Sequence, residues 1–337
     1  TAHAEQAVLE SISPDHFMVY IGIPFCPTRC SYCSFITHDA KNDAALFDDY
    51  VNAVVWETQD VFEKIKKPVS AVYFGGGTPT VLSASQLDRL LFGVLSKLSL
   101  ICDAELTVEA GRPDTMDKEK LSVMQRAGIN RLCINPQTFH DETLQRIGRR
   151  HTTEQTIKAF ELSRKAGFDD INMDLIYGLP EETPEDFQDS LRKALTLKPD
   201  SLTLHALAQK RSSELYERIQ KTQQTHLFLP EPLWFAMLNE ARLTLESEGL
   251  TPYYLYRQKR AIGGLENTGF ARSGKACRYN VGMMSDSRSV VGIGSGSISK
   301  RIRGTRVDRF PNPRNPIVYL ERVETLADSK AAFFNAP

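Results

Sequence analysis

The sequence predicts an α/β fold, a partial (β/α)6 TIM-like barrel followed by a smaller C-terminal α+β subdomain. Six short apolar or β-branched runs alternate with amphipathic segments of helical length, which is typical of parallel strands joined by crossover helices. Six such units exceed a flavodoxin-like sheet and fall short of a closed eight-stranded barrel, so we expect an open barrel. The pattern changes at Thr251, which predicts a barrel domain over residues 1–250 and a subdomain over 251–337.

The predicted strands place chemically unusual residues at one edge of the barrel. The carboxyl ends of parallel strands meet at this edge, where barrels of this type form their sites. A cysteine loop follows the first strand, a glycine run follows the second, and polar residues or a glycine turn follow the next three. The predicted strands are 18–25, 71–75, 105–109, 131–136, 171–177 and 201–207.

The predicted helices are marked by capping residues at their starts and by glycines just beyond three of their ends. Asp114 or Thr115 is expected to open the helix at 118–127, and the other starts carry Ser83, Thr152 or Thr153, and Thr183 followed by Pro184. The predicted helices are 43–65, 84–98, 118–127, 153–166, 184–197 and 231–248. No helix is predicted for the tail from residue 312 onward.

Three cysteines, Cys26, Cys30 and Cys33, lie within eight residues after the first strand. A long chain with six cysteines is not a disulfide scaffold, so the trio suits a metal or an iron–sulfur cluster. Zinc would need a fourth ligand such as His38. A four-iron cluster held by three cysteines instead leaves one iron open to a cosubstrate. Tyr32 within the loop and the later glycine run favour the cluster.

The overall charge and hydropathy exclude several kinds of partner. A net charge of -1 and a pI near 6.6 give no electrostatic reason to expect nucleic acid or a membrane, which leaves a small molecule as the expected partner. The chain lacks both an apolar run of membrane-spanning length and an initial signal pattern. We therefore expect a cytoplasmic protein. Separately, we expect a monomer.

Several motifs resemble those of a known family. The segment Tyr20-Ile-Gly-Ile-Pro-Phe-Cys26 with its cysteine loop, together with Gly75-Gly-Gly-Thr-Pro79, resembles the radical S-adenosylmethionine (SAM) superfamily, and in it the oxygen-independent coproporphyrinogen III oxidase family. The set is most similar to the HemZ-type coproporphyrinogen dehydrogenase branch, over residues 15–305. Further matching segments are 108–115, 134–138, 148–152, 172–180, 253–259 and 264–271.

This resemblance implies a [4Fe–4S] cluster on the three cysteines and one SAM molecule, with a second as a further possibility. In the family an electron from the reduced cluster cleaves SAM to methionine and a 5'-deoxyadenosyl radical. The resemblance implies catalytic roles for Tyr20 and Glu109. It implies that cofactors are bound by Tyr20, Tyr32, Gly76, Gly77, Thr78, Glu109, Gln137, Arg149, Asp174 and Ile298. For two of these residues the alternative to cofactor binding is a purely structural or surface role. Asp174 could be a buried hydrogen-bond acceptor, and Arg149 could be a solvated surface cation.

The implied substrate is a tetrapyrrole, and the implied electron donor is a flavodoxin or ferredoxin. Arg211, Arg257 and Tyr256 are the candidate substrate residues, because guanidinium groups suit propionates and an aromatic ring suits a tetrapyrrole face. The implied reaction is the oxidative decarboxylation of coproporphyrinogen III to protoporphyrinogen IX. The alternatives are a radical SAM methyltransferase that modifies heme anaerobically, and a heme chaperone without turnover. The histidine of the chaperone branch is absent, because the corresponding segment reads Arg278-Tyr279-Asn280.

Overall fold

The computed structural model describes residues 2–33, 38–222, 231–261 and 264–336, and in it strands and helices alternate through the first two thirds of the chain. The strands are β1 (Phe17–Ile23), β2 (Phe25–Cys26), β3 (His38–Asp39), β4 (Val69–Gly76), β5 (Leu100–Glu109), β6 (Arg131–Cys133), β7 (Ile171–Tyr177), β8 (Ser201–Ala206), β9 (Thr251–Tyr256), β10 (Asn267–Ala271), β11 (Val290–Ile293), β12 (Ile298–Arg303) and β13 (Arg306–Pro311). The helices are α1 (Ala2–Glu10), α2 (Phe47–Ile65), α3 (Ala84–Leu95), α4 (Lys118–Arg126), α5 (Asp141–Arg146), α6 (Thr153–Lys165), α7 (Pro184–Thr196), α8 (Glu214–Thr222), α9 (Glu231–Ser247), α10 (Arg278–Met284) and α11 (Pro316–Asn335).

Eleven of the strands form one sheet in the order β13-β12-β11-β1-β4-β5-β6-β7-β8-β10-β9. The six predicted strands are confirmed as the parallel run from β1 to β8, and β11 adds a seventh parallel strand beside β1. The α/β prediction is therefore confirmed. No ladder joins β13 to β9 within the described residues, which agrees with an open barrel.

Two predicted strands are shorter than expected. The first strand ends at Ile23 because Pro24 has no N–H to donate, and the chain resumes as β2. The fourth strand ends at Cys133 rather than Pro136, and Gln137 then adopts a left-handed backbone with φ +71°. Both departures occur at the edge that bears the candidate site.

The chain after residue 250 extends the same sheet at both ends. Strands β10 and β9 add antiparallel to β8, while β12 and β13 add antiparallel to β11. The domain boundary at residue 250 stays a prediction. The sheet is continuous across this position.

Three predicted helix caps are confirmed. Ser83, Thr152 and Thr183 each accept a hydrogen bond from the backbone N–H three residues later, and the residue there bonds back to complete a capping box. The cap predicted for α4 was wrong. Asp117 caps that helix by accepting from Lys120 N at 2.8 Å, because Asp114 and Thr115 lie in a separate 3-10 turn.

Side chains alternate between the two faces of the sheet, as the two-residue period of a strand requires. Val19, Ile21, Val72 and Phe74 join the large apolar core shared with the helices. Their neighbours Met18, Tyr20, Ala71 and Tyr73 instead contact a second cluster on the inner face. There the rings of Tyr20, Tyr73 and Tyr279 stack with centroid separations of 4.8–6.1 Å. These rings pack against one another in the barrel interior.

The helix α11, which the sequence did not predict, packs against α2 through a fully buried ion pair between Lys330 and Glu57. Glu57 also accepts hydrogen bonds from Tyr319 Oη at 2.7 Å, Asn312 Nδ2 at 3.1 Å and Gly294 N at 2.8 Å. This network ties α11 to the turn after β11. Among the described helices, none combines the length and apolar character that crossing a membrane would require.

Candidate functional site

The carboxyl ends of the parallel strands surround a cavity of about 350 Å³. Twelve of the residues singled out in the sequence line it. They come from the cysteine loop, the end of β4 and the turn after it, the end of β5, strands β7 and β9, and the segments after β6 and α5. They are Cys26, Cys30, Tyr32, Cys33, Gly76, Gly77, Thr78, Glu109, Gln137, Arg149, Asp174 and Tyr256. Residues up to 230 positions apart in sequence thus share one cavity, as the strand-end argument predicted.

The cysteine loop presents the thiols of Cys26, Cys30 and Cys33 to this cavity. Arg112 Nη2 donates to Cys30 Sγ at 3.2 Å, and Cys26 Sγ lies 3.4 Å from Thr78 Oγ1. Burial would raise the pKa of Cys30, but the nearby cations Arg149 and Arg112 outweigh it and lower this pKa. Burial raises the pKa of Cys26 to about 11. Guanidinium groups therefore stabilise a thiolate at Cys30, which is the form that binds metal.

The residues around the thiols fit an iron–sulfur cluster with a bound polar cosubstrate. Three buried polar atoms among the described cavity-lining residues lack hydrogen-bond partners, namely Arg112 Nη1, Arg149 Nε and Asn135 Oδ1. Such atoms are costly unless a ligand satisfies them. No three His, Cys, Asp or Glu side chains described in the structure converge closely enough for a single metal ion. A cluster contains several iron and sulfur atoms, so the thiolates that bind it are further apart than the ligands of a single metal ion. The side chain of His38, the suggested zinc ligand, lies outside the described residues.

The glycine run at the end of β4 forms a wall of the cavity next to Cys26. Gly77 N donates to Ile23 O at 2.6 Å, and Thr78 N donates to Phe25 O at 2.8 Å. These backbone hydrogen bonds hold the turn against the segment that leads into the cysteine loop. A Cβ at Gly77 would lie 2.5 Å from Phe25 O. Gly76 has φ +108°, which side chains rarely tolerate. Both positions require glycine for the chain to approach so closely.

Replacement of Gly77 by alanine is expected to weaken SAM binding about 5- to 150-fold. The added methyl must push the Phe25 carbonyl and the attached Cys26 away, and such overpacking costs about 1–3 kcal/mol. Gly111→Ala is the matched control, because a methyl there meets nothing closer than 3.6 Å on the same cavity wall. Calorimetric titration of SAM into the reconstituted variants measures the effect. Equal weakening by both substitutions would contradict this account.

Two carboxylates, Glu109 and Asp174, line the same cavity. Glu109 Oε2 accepts from Gly76 N at 3.3 Å, while Asp174 accepts from Asn172 Nδ2 at 2.7 Å and lies 3.5 Å from His205 Nε2. Burial and the nearby Asp174 raise the pKa of Glu109 to about 7. Burial would also raise the pKa of Asp174, but His205 and the hydrogen bonds lower it. Asp174 is therefore a fixed anion, and Glu109 is the carboxyl that titrates near neutrality.

SAM affinity is expected to rise about tenfold between pH 6 and pH 8, because a group with a pKa near 7 changes from mostly neutral to mostly ionised over this interval. Below pH 7 the protonated Glu109 cannot attract the positive charges of SAM, and above it the carboxylate can. Titrations at several pH values, compared with Glu109→Gln, would isolate this contribution from the ionisation of SAM itself. If wild type and Glu109→Gln have the same pH slope, Glu109 does not contribute it.

Arg149 is buried, so it is not the solvated cation that the sequence left as an alternative. Its Nη1 donates to Gly111 O at 3.0 Å and Asn135 O at 2.7 Å, and Tyr32 and Cys30 lie beside it. Arg150, the next residue, is exposed. Gln137 is held by two backbone hydrogen bonds to β7, from Gln137 N to Asp174 O and from Ile176 N to Gln137 O. Its left-handed conformation lies at the cavity, as strained backbone often does.

Four predicted residues lie outside this cavity. Tyr20 and Ile298 line a neighbouring cavity of about 420 Å³ that shares Gly76 and Gly77 with the first. Arg211 lines an open groove with Lys259 and Arg260. Arg257 faces a separate cavity and forms an exposed ion pair of 3.0 Å with Glu266. The structure therefore does not bring Arg257 together with the other substrate candidates.

Sequence reasoning missed Arg112 and Asn135 as functional residues and underrated His205. Arg112 and Asn135 follow β5 and β6 by two or three positions, and both stood within motifs that matched the family. Lys210, four residues after β8, lines the main cavity, the neighbouring cavity and the open groove.

Comparison with known proteins identifies the family. The radical SAM superfamily profile matches residues 20–194. The chain belongs to the radical SAM superfamily. The superfamily implies a [4Fe–4S] cluster and SAM as cofactors, and the cavity described above supplies a donor set that fits both.

Individual relatives are consistent with this assignment. The oxygen-independent coproporphyrinogen-III oxidase-like protein HemZ of Bacillus subtilis is 40% identical over 325 residues, covering 95% of this chain and 64% of HemZ. The heme chaperone HemW of the same organism is 32% identical, covering 85% and 71% of the two chains. The fold matches that of Escherichia coli coproporphyrinogen III oxidase HemN with a TM-score of 0.73 at 23% identity, covering 97% and 73%. The chain thus spans about two thirds of HemZ, and belongs with this HemN/HemZ-like group of radical SAM proteins.

Proposed function

We propose that this chain is a radical SAM enzyme that decarboxylates coproporphyrinogen III to protoporphyrinogen IX without oxygen. The observation that carries the proposal is the position of Lys210. It borders both the cavity that holds the three thiols and an open cationic groove formed with Arg211, Lys259 and Arg260. A radical generated in the cavity would therefore arise next to a surface suited to carboxylates.

Cys26, Cys30 and Cys33 would hold the cluster, and when bound, the cluster and SAM would together supply radical chemistry for removing a hydrogen atom from the substrate. The chain's own residues bind and orient. Arg149 and Arg112 stabilise negative charge at the thiolates and offer unpaired donor atoms to the cosubstrate. Glu109 and Asp174 supply carboxylates for its hydroxyl or cationic groups. The backbone of Gly76 to Thr78 forms a narrow wall that a Cβ would obstruct.

The proposed substrate carries four carboxylates on a tetrapyrrole macrocycle. Arg211, Lys259 and Arg260 are exposed and can pair with propionates, while Lys210 is half-buried where the groove meets the cavity. Burial lowers the pKa of Lys210. Tyr256 lines the cavity from β9 and lies 3.5 Å from His205 Nδ1, so its ring borders both cofactor and substrate space. These residues orient one propionate toward the radical and exclude water from the cavity.

The test is anaerobic incubation of reconstituted protein with coproporphyrinogen III, SAM, a reductant for the cluster and a one-electron acceptor, which takes the electron left when CO2 departs after hydrogen abstraction. Mass spectrometry should find products lighter by one and then two formic-acid equivalents, together with 5'-deoxyadenosine. Lys210→Met should raise the KM for the tetrapyrrole without preventing uncoupled SAM cleavage, whereas Lys97→Met at the opposite edge is the control. Formation of 5'-deoxyadenosine without loss of substrate carboxylates would refute the decarboxylation.

A second candidate, a heme chaperone without turnover, is favoured by the similarity to HemW. One observation weighs against it. The segment where the chaperone branch carries its histidine is occupied by Arg278 and Tyr279, whose backbone N–H groups donate to Glu105, and the ring of Tyr279 is stacked in the barrel interior. Tight heme binding without SAM cleavage would select the chaperone. S-adenosylhomocysteine and a methylated tetrapyrrole would instead select the anaerobic heme-modifying methyltransferase.

A further inference from the structure

A second cationic groove lies on the outer side of the cysteine loop, apart from the groove assigned to substrate. Its volume is about 600 Å³, and among the described residues its lining contains four cations and no carboxylate. The lining residues are Pro27, Thr28, Arg29, Lys41, Gln145, Gly148, Arg149 and Arg150. The whole chain has a formal net charge of only -1, so this is a local concentration of positive charge.

The groove and the main cavity share a thin wall. Thr28 and Arg149 line both, and Pro27, Thr28 and Arg29 are the residues between Cys26 and Cys30. The loop is fixed in place from this side, since Thr28 Oγ1 donates to Gly148 O at 2.9 Å and Ser31 N donates to Ile147 O at 2.9 Å. A Cβ at Gly148 would lie 2.7 Å from Arg29 O. A molecule seated in the groove would therefore be separated from the thiols by the loop alone.

Three of the four cations at the groove are exposed, and the fourth, Arg149, is buried. Arg29, Lys41 and Arg150 are exposed. Arg29 Nη2 donates to Ser212 O at 2.9 Å, and its Nε lies 3.9 Å from Glu214 Oε1 in a solvated pair. Such a pair is weak, so it offers little competition to an acidic partner.

We infer that the groove of Arg29, Lys41 and Arg150 is the docking surface for an acidic one-electron carrier protein that reduces the cluster. The cluster takes up one electron per cleavage from outside the chain, and electron transfer requires the donor group to approach the loop closely. Complementary charge speeds such encounters and fixes their orientation. The inference requires the [4Fe–4S] cluster that the superfamily implies. It does not depend on which tetrapyrrole is the substrate.

The test compares two double variants with the same change in net charge. Lys41→Glu/Arg150→Glu reverses the charge of two cations at the groove. Lys97→Glu/Arg322→Glu reverses the charge of two exposed cations elsewhere, Lys97 just beyond α3 and Arg322 on α11. Neither pair includes a residue assigned to cluster, SAM or substrate. With reduced flavodoxin as the probe, the groove variant should bind at least about tenfold more weakly at low salt and accept electrons correspondingly more slowly. Reduction of its cluster by dithionite, and its SAM affinity, should match wild type.

Calorimetry of flavodoxin binding and stopped-flow oxidation of the flavodoxin hydroquinone provide the readouts, and neither uses a tetrapyrrole. Equal effects of both double variants would show that net charge alone is responsible and would overturn the proposal. Unchanged flavodoxin binding in the groove variant would do the same. So would a groove variant that retains flavodoxin binding but loses coproporphyrinogen binding, because the groove would then be a substrate surface. Failure of decarboxylation with normal flavodoxin-dependent reduction would affect only the proposed function.

Discussion

Cys30→Ala is expected to reduce SAM cleavage to background and to remove most of the bound iron after reconstitution. Cys30 is the thiol whose ionised form Arg112 and Arg149 stabilise, so its loss removes a ligand and leaves two buried guanidinium groups facing a smaller negative charge. Iron analysis, the visible absorption of the cluster and quantification of 5'-deoxyadenosine measure the result.

Cys102→Ala is the matched control, since Cys102 is exposed on β5 and lies outside the cavity. It should retain wild-type iron content and activity. A Cys30→Ala protein that kept its full cluster absorption would mean that the described thiols are not the set that holds the iron.

Lys330→Met is expected to lower the free energy of unfolding by about 3–5 kcal/mol, because it leaves the buried carboxylate of Glu57 without its cation. Urea unfolding of the apoprotein, followed by circular dichroism, gives the difference. The remaining donors to Glu57 are Tyr319, Asn312 and the backbone of Gly294, and none carries a positive charge.

Lys64→Met provides an unusually close control, because Lys64 Nζ pairs with Asp328 Oδ1 at 2.7 Å across the same two helices. This pair is exposed, so its loss should cost no more than about 1 kcal/mol. Similar costs for Lys330→Met and Lys64→Met would show that burial does not govern the α2–α11 contact.

The parts of the site that the sequence could predict are those set by local chemistry. A thiol trio, a glycine run and lone polar residues after apolar strands each carry their signal within a few positions, and parallel pairing brings them to one edge. Capping boxes at Ser83, Thr152 and Thr183 are likewise local. The prediction failed at Asp117 because two other capping residues stand just ahead of it, and only the backbone turn decides between them.

The candidate substrate side was harder to predict because it depends on long-range strand pairing. Tyr256 ends β9 opposite Asn267 of β10, and this register decides which neighbour faces the cavity. Tyr256 lines the main cavity, while Arg257, one position later, lines another. A single-residue shift would exchange them, since successive side chains point to opposite faces. The sequence contains no local signal for that register, nor for the addition of β11 beside β1.

The buried contact between α2 and α11 also bears on the order in which the chain assembles. Glu57 and Lys330 are 273 positions apart, so a growing chain exposes the carboxylate long before its partner has been synthesised. Until α11 arrives, water must solvate Glu57, and the face of α2 that receives α11 stays open beside the turn at Gly294. The late-synthesised helix α11 therefore buries a charge that water must solvate in the incomplete chain.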